Sequence, residues 1–258
     1  MRILVCNDDG IHAPGLEALT DIARALSDDV WIVAPETEQS GASHSLTLNN
    51  LLRIRQLEDR KFAVQGTPSD CIILGVKHVL GGEMPDLVLS GVNRGQNMAE
   101  DVTYSGTIAA AMEGTLLGIP SIAMSQVYDY EGDGPVRWDV SRHFAPDIVR
   151  RLVARGWPAD VLININFPPL PVDRVKGARV VVQGRRHMGA LKVETRQDPR
   201  GNDYFWIGFR RMEREREGDT DLRAVREGYI AITPLHLDLT QVSTMDHLRQ
   251  ALDDGTTA

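Results

Sequence analysis

Cysteine is nearly absent from this chain. Cys6 and Cys71 are the only two, and both fall inside apolar runs. Two such thiols cannot build a disulfide framework, and their scarcity points to a reducing cytoplasm. Long hydrophobic runs are missing too: nothing approaches the roughly 18 consecutive apolar residues of a membrane span. Near the amino terminus, Ile3–Cys6 is followed at once by Asn7, Asp8 and Asp9, far short of the apolar stretch of about 7–15 residues in an export signal. Positive charge is in deficit, with 28 Lys and Arg against 36 Asp and Glu and a formal net charge of −8. That balance does not provide the basic stripe that grips a nucleic-acid polymer. Neither nucleic acid nor membrane is therefore expected as a partner. Small phosphate esters stay open, because a bound cation can reverse the local charge.

Several catalytic signatures are also missing. There is no Gly-x-x-x-x-Gly-Lys-Ser/Thr loop, Gly-x-Gly-x-x-Gly fingerprint, Cys-x-x-Cys or His-Glu-x-x-His. A Gly-x-Ser-x-Gly nucleophile elbow is absent as well. ATP-driven, dinucleotide, zinc-protease and esterase readings lose their main support. The hydrophobic share of 42% and charged share of 25% leave enough apolar surface for a sizeable core, which excludes disorder as the main state. The length of 258 residues suits one large domain with an appendage.

Short apolar runs alternate with helical patterns over the first two-thirds. Ile3–Cys6 reads as a buried strand, Leu16, Leu19, Ile22, Ala23 and Leu26 recur at helical spacing, and Val30–Ala34 is a second strand. A helix opens at Pro68, where proline suits a first turn. Further strands follow at Asp86–Ser90, Ile119–Met124 and Val161–Phe167, with a small-residue helix from Thr107. The pattern predicts an α/β, Rossmann-like core: a mainly parallel sheet with helices on both faces. The core is expected over residues 1–184 and an extension over 185–258. In that extension Lys192–Gln197 and Tyr204–Arg210 form a hairpin arm around the turn Asp198–Asn202. Its aromatics, Tyr204, Phe205, Trp206 and Phe209, suit packing on the chain's own core or on another subunit equally well. Arg210–Glu217 reads as a solvated face, Gly228–Leu235 as a strand, and a final helix aligns Val242, Met245, Leu248 and Leu252.

Ligands on such sheets bind beyond the carboxyl ends of the strands, and four polar clusters fall there. Asn7-Asp8-Asp9-Gly10-Ile11 follows strand one. Two adjacent carboxylates repel, and a hard divalent cation would explain them; a turn with a capping aspartate explains them about equally well. Gln39-Ser40-Gly41-Ala42-Ser43 supplies hydroxyls after strand two. Ser90-Gly91-Val92-Asn93-Arg94-Gly95-Gln96-Asn97 offers neutral oxygens and amides on a bent backbone. Tyr104-Ser105-Gly106-Thr107 enters a helix whose free N–H groups make an anion site, although ordinary capping accounts for one hydroxyl. Their convergence on one sheet edge favours function over four separate structural roles. His12 and His44 lie beside the clusters, where a surface or structural role is the commoner one. Cys71 reads as core.

With these clusters the chain resembles the survival protein SurE family of nucleoside-monophosphate phosphatases. The resemblance rests on the stretches above, on Pro14-Gly15, Ala34-Pro35 and Gly66-Thr67-Pro68-Ser69-Asp70-Cys71, and on the later Asn164-Ile165-Asn166 and Ile232-Thr233-Pro234-Leu235. Cys6 is a mild departure, the family often having Ser or Thr there, and Tyr128–Val136 matches least. The resemblance implies one divalent ion per subunit, Mg²⁺ or Mn²⁺, held by Asp8, Asp9, Ser40 and Asn93, with Asp8 and Asp9 catalytic. It implies phosphate contacts from Asn97, Ser105, Gly106 and Thr107. The implied activity is hydrolysis of nucleoside 5′-monophosphates, of 3′-monophosphates and of short polyphosphate, by a metal-activated water. A homodimer or homotetramer exchanging carboxy-terminal elements is also implied, which suits the arm and final helix. Three rivals stay open. Asp8 could be a covalent nucleophile, although such enzymes usually separate their two aspartates by one residue. The chain could instead be a nucleotide-binding regulatory module, or an assembly protein that has no need of the polar clusters.

Overall fold

The computed structural model describes residues 1–128, 135–186, 191–209 and 218–253. Strand β1 (Arg2–Cys6) leads through helix α1 (Pro14–Arg24) to β2 (Asp29–Pro35). The hairpin β3 (Ile54–Glu58) and β4 (Lys61–Val64) precedes α2 (Pro68–Leu74), and β5 (Leu87–Arg94) precedes α3 (Gly106–Leu116). Then come β6 (Ser121–Gln126), α4 (Trp138–Arg155), β7 (Val161–Phe167) and β8 (Ala178–Val180). The chain ends with β9 (Leu191–Gln197), β10 (Asp203–Phe209), α5 (Asp221–Arg226), β11 (Ile230–His236) and α6 (Val242–Asp253).

Nine strands form one sheet in the order β3-β4-β2-β1-β5-β6-β7-β11-β8. From β4 to β7 neighbouring strands run parallel; β3 against β4 and β11 against β7 are antiparallel. The alternating side chains of β1 show why both faces are covered. Ile3 and Val5 pack with Leu16, Leu19 and Ile22 of α1 and with Val140, Ala145 and Val149 of α4. Leu4 and Cys6 point the other way, against Cys71 and Ile72 of α2 and Ala110 of α3. The α/β fold with helices on both faces is as the sequence predicts. Local chemistry agrees at α2, which starts with Pro68 behind a capping box: Thr67 Oγ1 accepts from the Asp70 N–H and Asp70 accepts from the Thr67 N–H. Cys71 is core, as expected.

From β1 the chain winds outward to β2 and β4, whereas β5, β6 and β7 are laid down on the other side. The direction of winding reverses between β1 and β5, and it is beyond the carboxyl ends at such a point that open α/β sheets bind their ligands.

The hairpin β9–β10 stands apart as its own two-stranded sheet. Asp198 closes its turn by accepting from the Arg200 and Asn202 N–H groups at 2.8 and 2.9 Å. Phe205 and Trp206 are each 62% exposed, so the arm does not pack them on the chain's own core. Val242, Leu248 and Leu252 of α6 are exposed as well. The chain before the arm meets the chain after it: the Val182 N–H donates to Asp219 O at 3.1 Å, and the Asp221 N–H donates to Val182 O at 3.0 Å. Residues 210–217, where the charged run Arg210–Glu217 was expected to be solvated, lie outside the described residues, as do residues 129–134 of the segment that matches the family least. Among the described residues no helix is long and apolar enough to cross a membrane.

Candidate active site

The loop after β1 is held from two sides. Asn7, fully buried, donates from Nδ2 to Gly10 O at 3.0 Å. Gly10 takes a φ of +101°, which suits glycine and turns the chain back toward β2. There the Gln39 N–H donates to Asp8 O and the Ile11 N–H to Pro35 O, each at 2.8 Å. Asp8 is thereby buried at the end of β1. Its Oδ1 accepts from Thr107 Oγ1 at 2.5 Å, and the Thr107 and Asp8 N–H groups support it further. Burial raises its carboxyl to about 6, helped by the Asp9 charge and opposed by the Thr107 hydroxyl. Asp9 is also raised, first by burial and then by the Glu38 charge, while its Oδ2 accepts from the Arg94 N–H at 3.1 Å.

The start of α3 meets Asp8 closely. A Cβ on Gly106 would lie 2.8 Å from Asp8 Cβ, so only glycine fits here unless Asp8 shifts. Ser105 caps α3 by accepting from the Ile108 N–H at 3.1 Å, as expected of a helix-opening serine. Its hydroxyl hydrogen is left over for another acceptor. Thr107 is placed differently from the expectation of a direct phosphate contact: its hydroxyl is spent on Asp8. Replacing Thr107 with valine should therefore act through Asp8. We expect turnover to fall about tenfold, in line with the loss of a hydrogen bond to a charged group. The Asp8 carboxyl should rise further, which moves the acidic limb of the pH–rate profile upward. An unmoved acidic limb would show that Thr107 does not control Asp8.

Asn93, at the end of β5, is half-buried and donates from Nδ2 to Gly95 O at 3.1 Å. Among the described residues no donor reaches its Oδ1. Ser40 lies one residue beyond the Gln39 anchor, exposed, with its hydroxyl donated to Glu38 Oε1 at 2.7 Å. Asn97 is buried above the carboxyl ends of β6 and β7. The four sequence clusters thus belong to one edge of one sheet. His44 pairs with the buried Glu113 of α3 at 2.9 Å, a structural role, and His12 is exposed.

Four participants were not legible as such in the sequence. Glu38 bears on Asp9, and its only signal was proximity to Ser40. Arg94 supplies the N–H to Asp9 and lays its guanidinium over the Tyr128 ring at 5.4 Å. Asn164 and Asn166 bond to Asn97, and two asparagines in a buried strand were a visible oddity without an assigned use.

A profile of the family described as Survival protein SurE matches residues 3–190. The chain belongs to the survival protein SurE family. Among its SurE relatives, a protein of Parvibaculum lavamentivorans named 5′-nucleotidase SurE is 58% identical over 258 residues, covering 100% of this chain and 92% of that one. A protein of the same name from Methylobacterium radiotolerans is 57% identical, covering 97% and 99%. The crystal structure of the SurE protein from Aquifex aeolicus superposes with a TM-score of 0.84 at 39% identity, covering 98% of this chain and 100% of that one.

The oxygen groups of this SurE chain fit a hard divalent cation. Asp8 and Asp9 are adjacent, both disfavoured as anions by burial, and among the described residues neither accepts from a Lys, Arg or His side chain. The Asn93 carbonyl oxygen adds a neutral donor beside them. Ser40 could add another only by leaving Glu38 or by using a hydroxyl lone pair. Oxygen-only donors with two charges suit Mg²⁺ or Mn²⁺ better than softer ions.

Proposed function

We propose that this chain is a divalent-metal-dependent phosphomonoesterase that converts nucleoside 5′-monophosphates to nucleoside and phosphate. The observation that carries the reading is the adjacent carboxylates of buried Asp8 and half-buried Asp9 at the sheet's switch point, with the amino end of α3 set against Asp8. The relatives' name, 5′-nucleotidase, supports the substrate class. Asp8, Asp9, Asn93 and Ser40 would hold one ion per subunit, Mg²⁺ or Mn²⁺. When bound, such an ion neutralises phosphoryl oxygens and acidifies water.

The chain's own groups do the rest. Thr107 keeps the Asp8 carboxylate in one orientation. The Ser105 hydroxyl, the Gly106 N–H at the start of α3 and the Asn97 carboxamide meet the equatorial phosphoryl oxygens, where charge builds during transfer. Thr107 contributes to the phosphate site through Asp8. Activity on 3′-monophosphates and short polyphosphate belongs to the same proposal, since the phosphate-binding groups do not read the sugar. Residues 1–184 serve as the catalytic core, and the apolar arm and α6 of residues 185–258 serve assembly into a homodimer or homotetramer.

The test is phosphate release from 5′-AMP, 5′-GMP, 3′-AMP and an aryl phosphate by chelator-stripped protein, with and without Mn²⁺ or Mg²⁺. Release is expected only with added metal and faster from nucleotides than from the aryl ester. Folded protein that releases nothing under either metal would point instead to a binding module, and a trapped phospho-aspartate would make Asp8 a nucleophile.

A further inference from the structure

A polar seam runs beneath Asn97, in a part of the sheet that the reaction does not touch. On the α3 side of β6 and β7, Ser125, Asn164 and Asn166 are all fully buried, with Ser125 beside Asn166 in the parallel register. Strands covered on both faces are ordinarily apolar at such positions. Buried amides must instead find partners or destabilise the fold.

Here the partner is a single residue. The Asn97 N–H donates to Asn166 Oδ1 at 2.9 Å, and Asn97 O accepts from Asn166 Nδ2 at 3.2 Å. One side chain thus imitates the backbone of a neighbouring strand. Asn164 Nδ2 adds a bond to the same carbonyl at 2.7 Å, and Asn166 Nδ2 also reaches Asn164 Oδ1 at 3.3 Å. The Asn97 carboxamide is itself tied down, with Nδ2 donating to Ser125 Oγ at 2.9 Å. Backbone and side-chain amide of one residue are fixed together. Aliphatic side chains in the same volume would leave the Asn97 N–H and carbonyl unpaired, so Asn164 and Asn166 secure the backbone here, but the bond from the Asn97 carboxamide to Ser125 goes beyond that need.

We propose that Ser125, Asn164 and Asn166 are positioning residues that hold Asn97 in the orientation that receives the substrate phosphate. The proposal rests on the phosphatase reading of Asn97. One amide hydrogen of Asn97 is committed to Ser125, which leaves the other in a single, pre-set direction. A donor already oriented binds more tightly than one that must be ordered on binding.

Calorimetric binding of inorganic phosphate to the Mn²⁺-loaded full chain tests this, with KM and kcat for 5′-AMP measured alongside. Asn166→Ala strips two bonds from a buried backbone and can cost folding. Ser125→Ala removes one hydroxyl and keeps the test open. Ser125→Ala should weaken phosphate binding and raise KM by about five- to tenfold, as expected for one lost hydrogen bond, with Mn²⁺ affinity and kcat nearly unchanged. Asn97→Ala should weaken phosphate at least as much. The double variant should be no weaker than Asn97→Ala, because Ser125 acts only through that residue. Additive losses, or Ser125→Ala with wild-type phosphate affinity, would overturn the proposal. If Asn97→Ala binds phosphate normally while the wild type hydrolyses 5′-AMP, the positioning role falls and the phosphatase reading stands. A wild type that neither binds phosphate nor hydrolyses 5′-AMP overturns both.

Discussion

Asp8→Asn is expected to lower phosphate release by about a thousandfold or more, because anchoring the ion carries several kcal/mol and each 1.36 kcal/mol is a factor of ten. The same substitution should make the metal-free protein more stable at neutral pH. Burial lifts the Asp8 carboxyl to about 6, above its ordinary value of 3.8. Between those values the folded chain holds a proton that the unfolded chain has released. Stability of the metal-free protein therefore falls as pH rises through this window, and the cost is fully present above it. Its size is on the order of 3 kcal/mol. The replacement carboxamide carries no charge to desolvate and still offers an oxygen to Thr107. Urea denaturation of chelated protein from pH 5 to 8 would show it, with the variant more resistant at pH 7 and the gap closing toward pH 5. Adding Mg²⁺ or Mn²⁺ should stabilise the wild type and leave the variant nearly unmoved. An active Asp8→Asn at saturating metal would remove Asp8 from the site. A variant less stable than wild type at pH 7 would show that burial of the charge is not the dominant cost.

Gly15→Ala is expected to destabilise the fold by about 3 kcal/mol or more, at or beyond the upper end for overpacking. A Cβ at Gly15 would lie 2.0 Å from the Val92 carbonyl oxygen and 3.1 Å from the Trp138 ring. The ring can turn aside, but the carbonyl belongs to β5 and moves only with its neighbours. The next residue is Asn93, so any accommodation is paid for at the proposed metal site. The urea midpoint reports the stability loss, and metal affinity of whatever folds reports the displacement. Wild-type values of both would mean that α1 and β5 sit farther apart than the structure places them.

These two positions illustrate what the sequence could reveal. Gly15 stood out as part of Pro14-Gly15, and Asp8 as a carboxylate after a buried strand, yet neither neighbour, Val92 nor Thr107, is close in the chain. The central strands were legible because both their faces are buried, which leaves continuous apolar runs. The edge hairpin β3–β4 was not, since Arg55 and Gln56 face solvent and dilute the pattern. Helix α4 is not legible either. Pro146 sits inside it, and its charged outer face breaks up the apolar spacing of Val140, Ala145 and Val149. The strand at Ile230–His236 was expected, but not its antiparallel direction against β7: the chain has already reversed at β8, to which β11 runs parallel. Asn164 and Asn166 needed the fold before their partner could be seen.

The closed root of the arm has an evolutionary consequence. Val182 and Asp219, on either side of the arm, are joined by a backbone hydrogen bond. A segment whose ends already touch can lengthen, shorten or change its apolar surface without the sheet being rewired. Selection can thus reshape this exposed apolar surface while the loop after β1, at the opposite end of the polypeptide, is left alone.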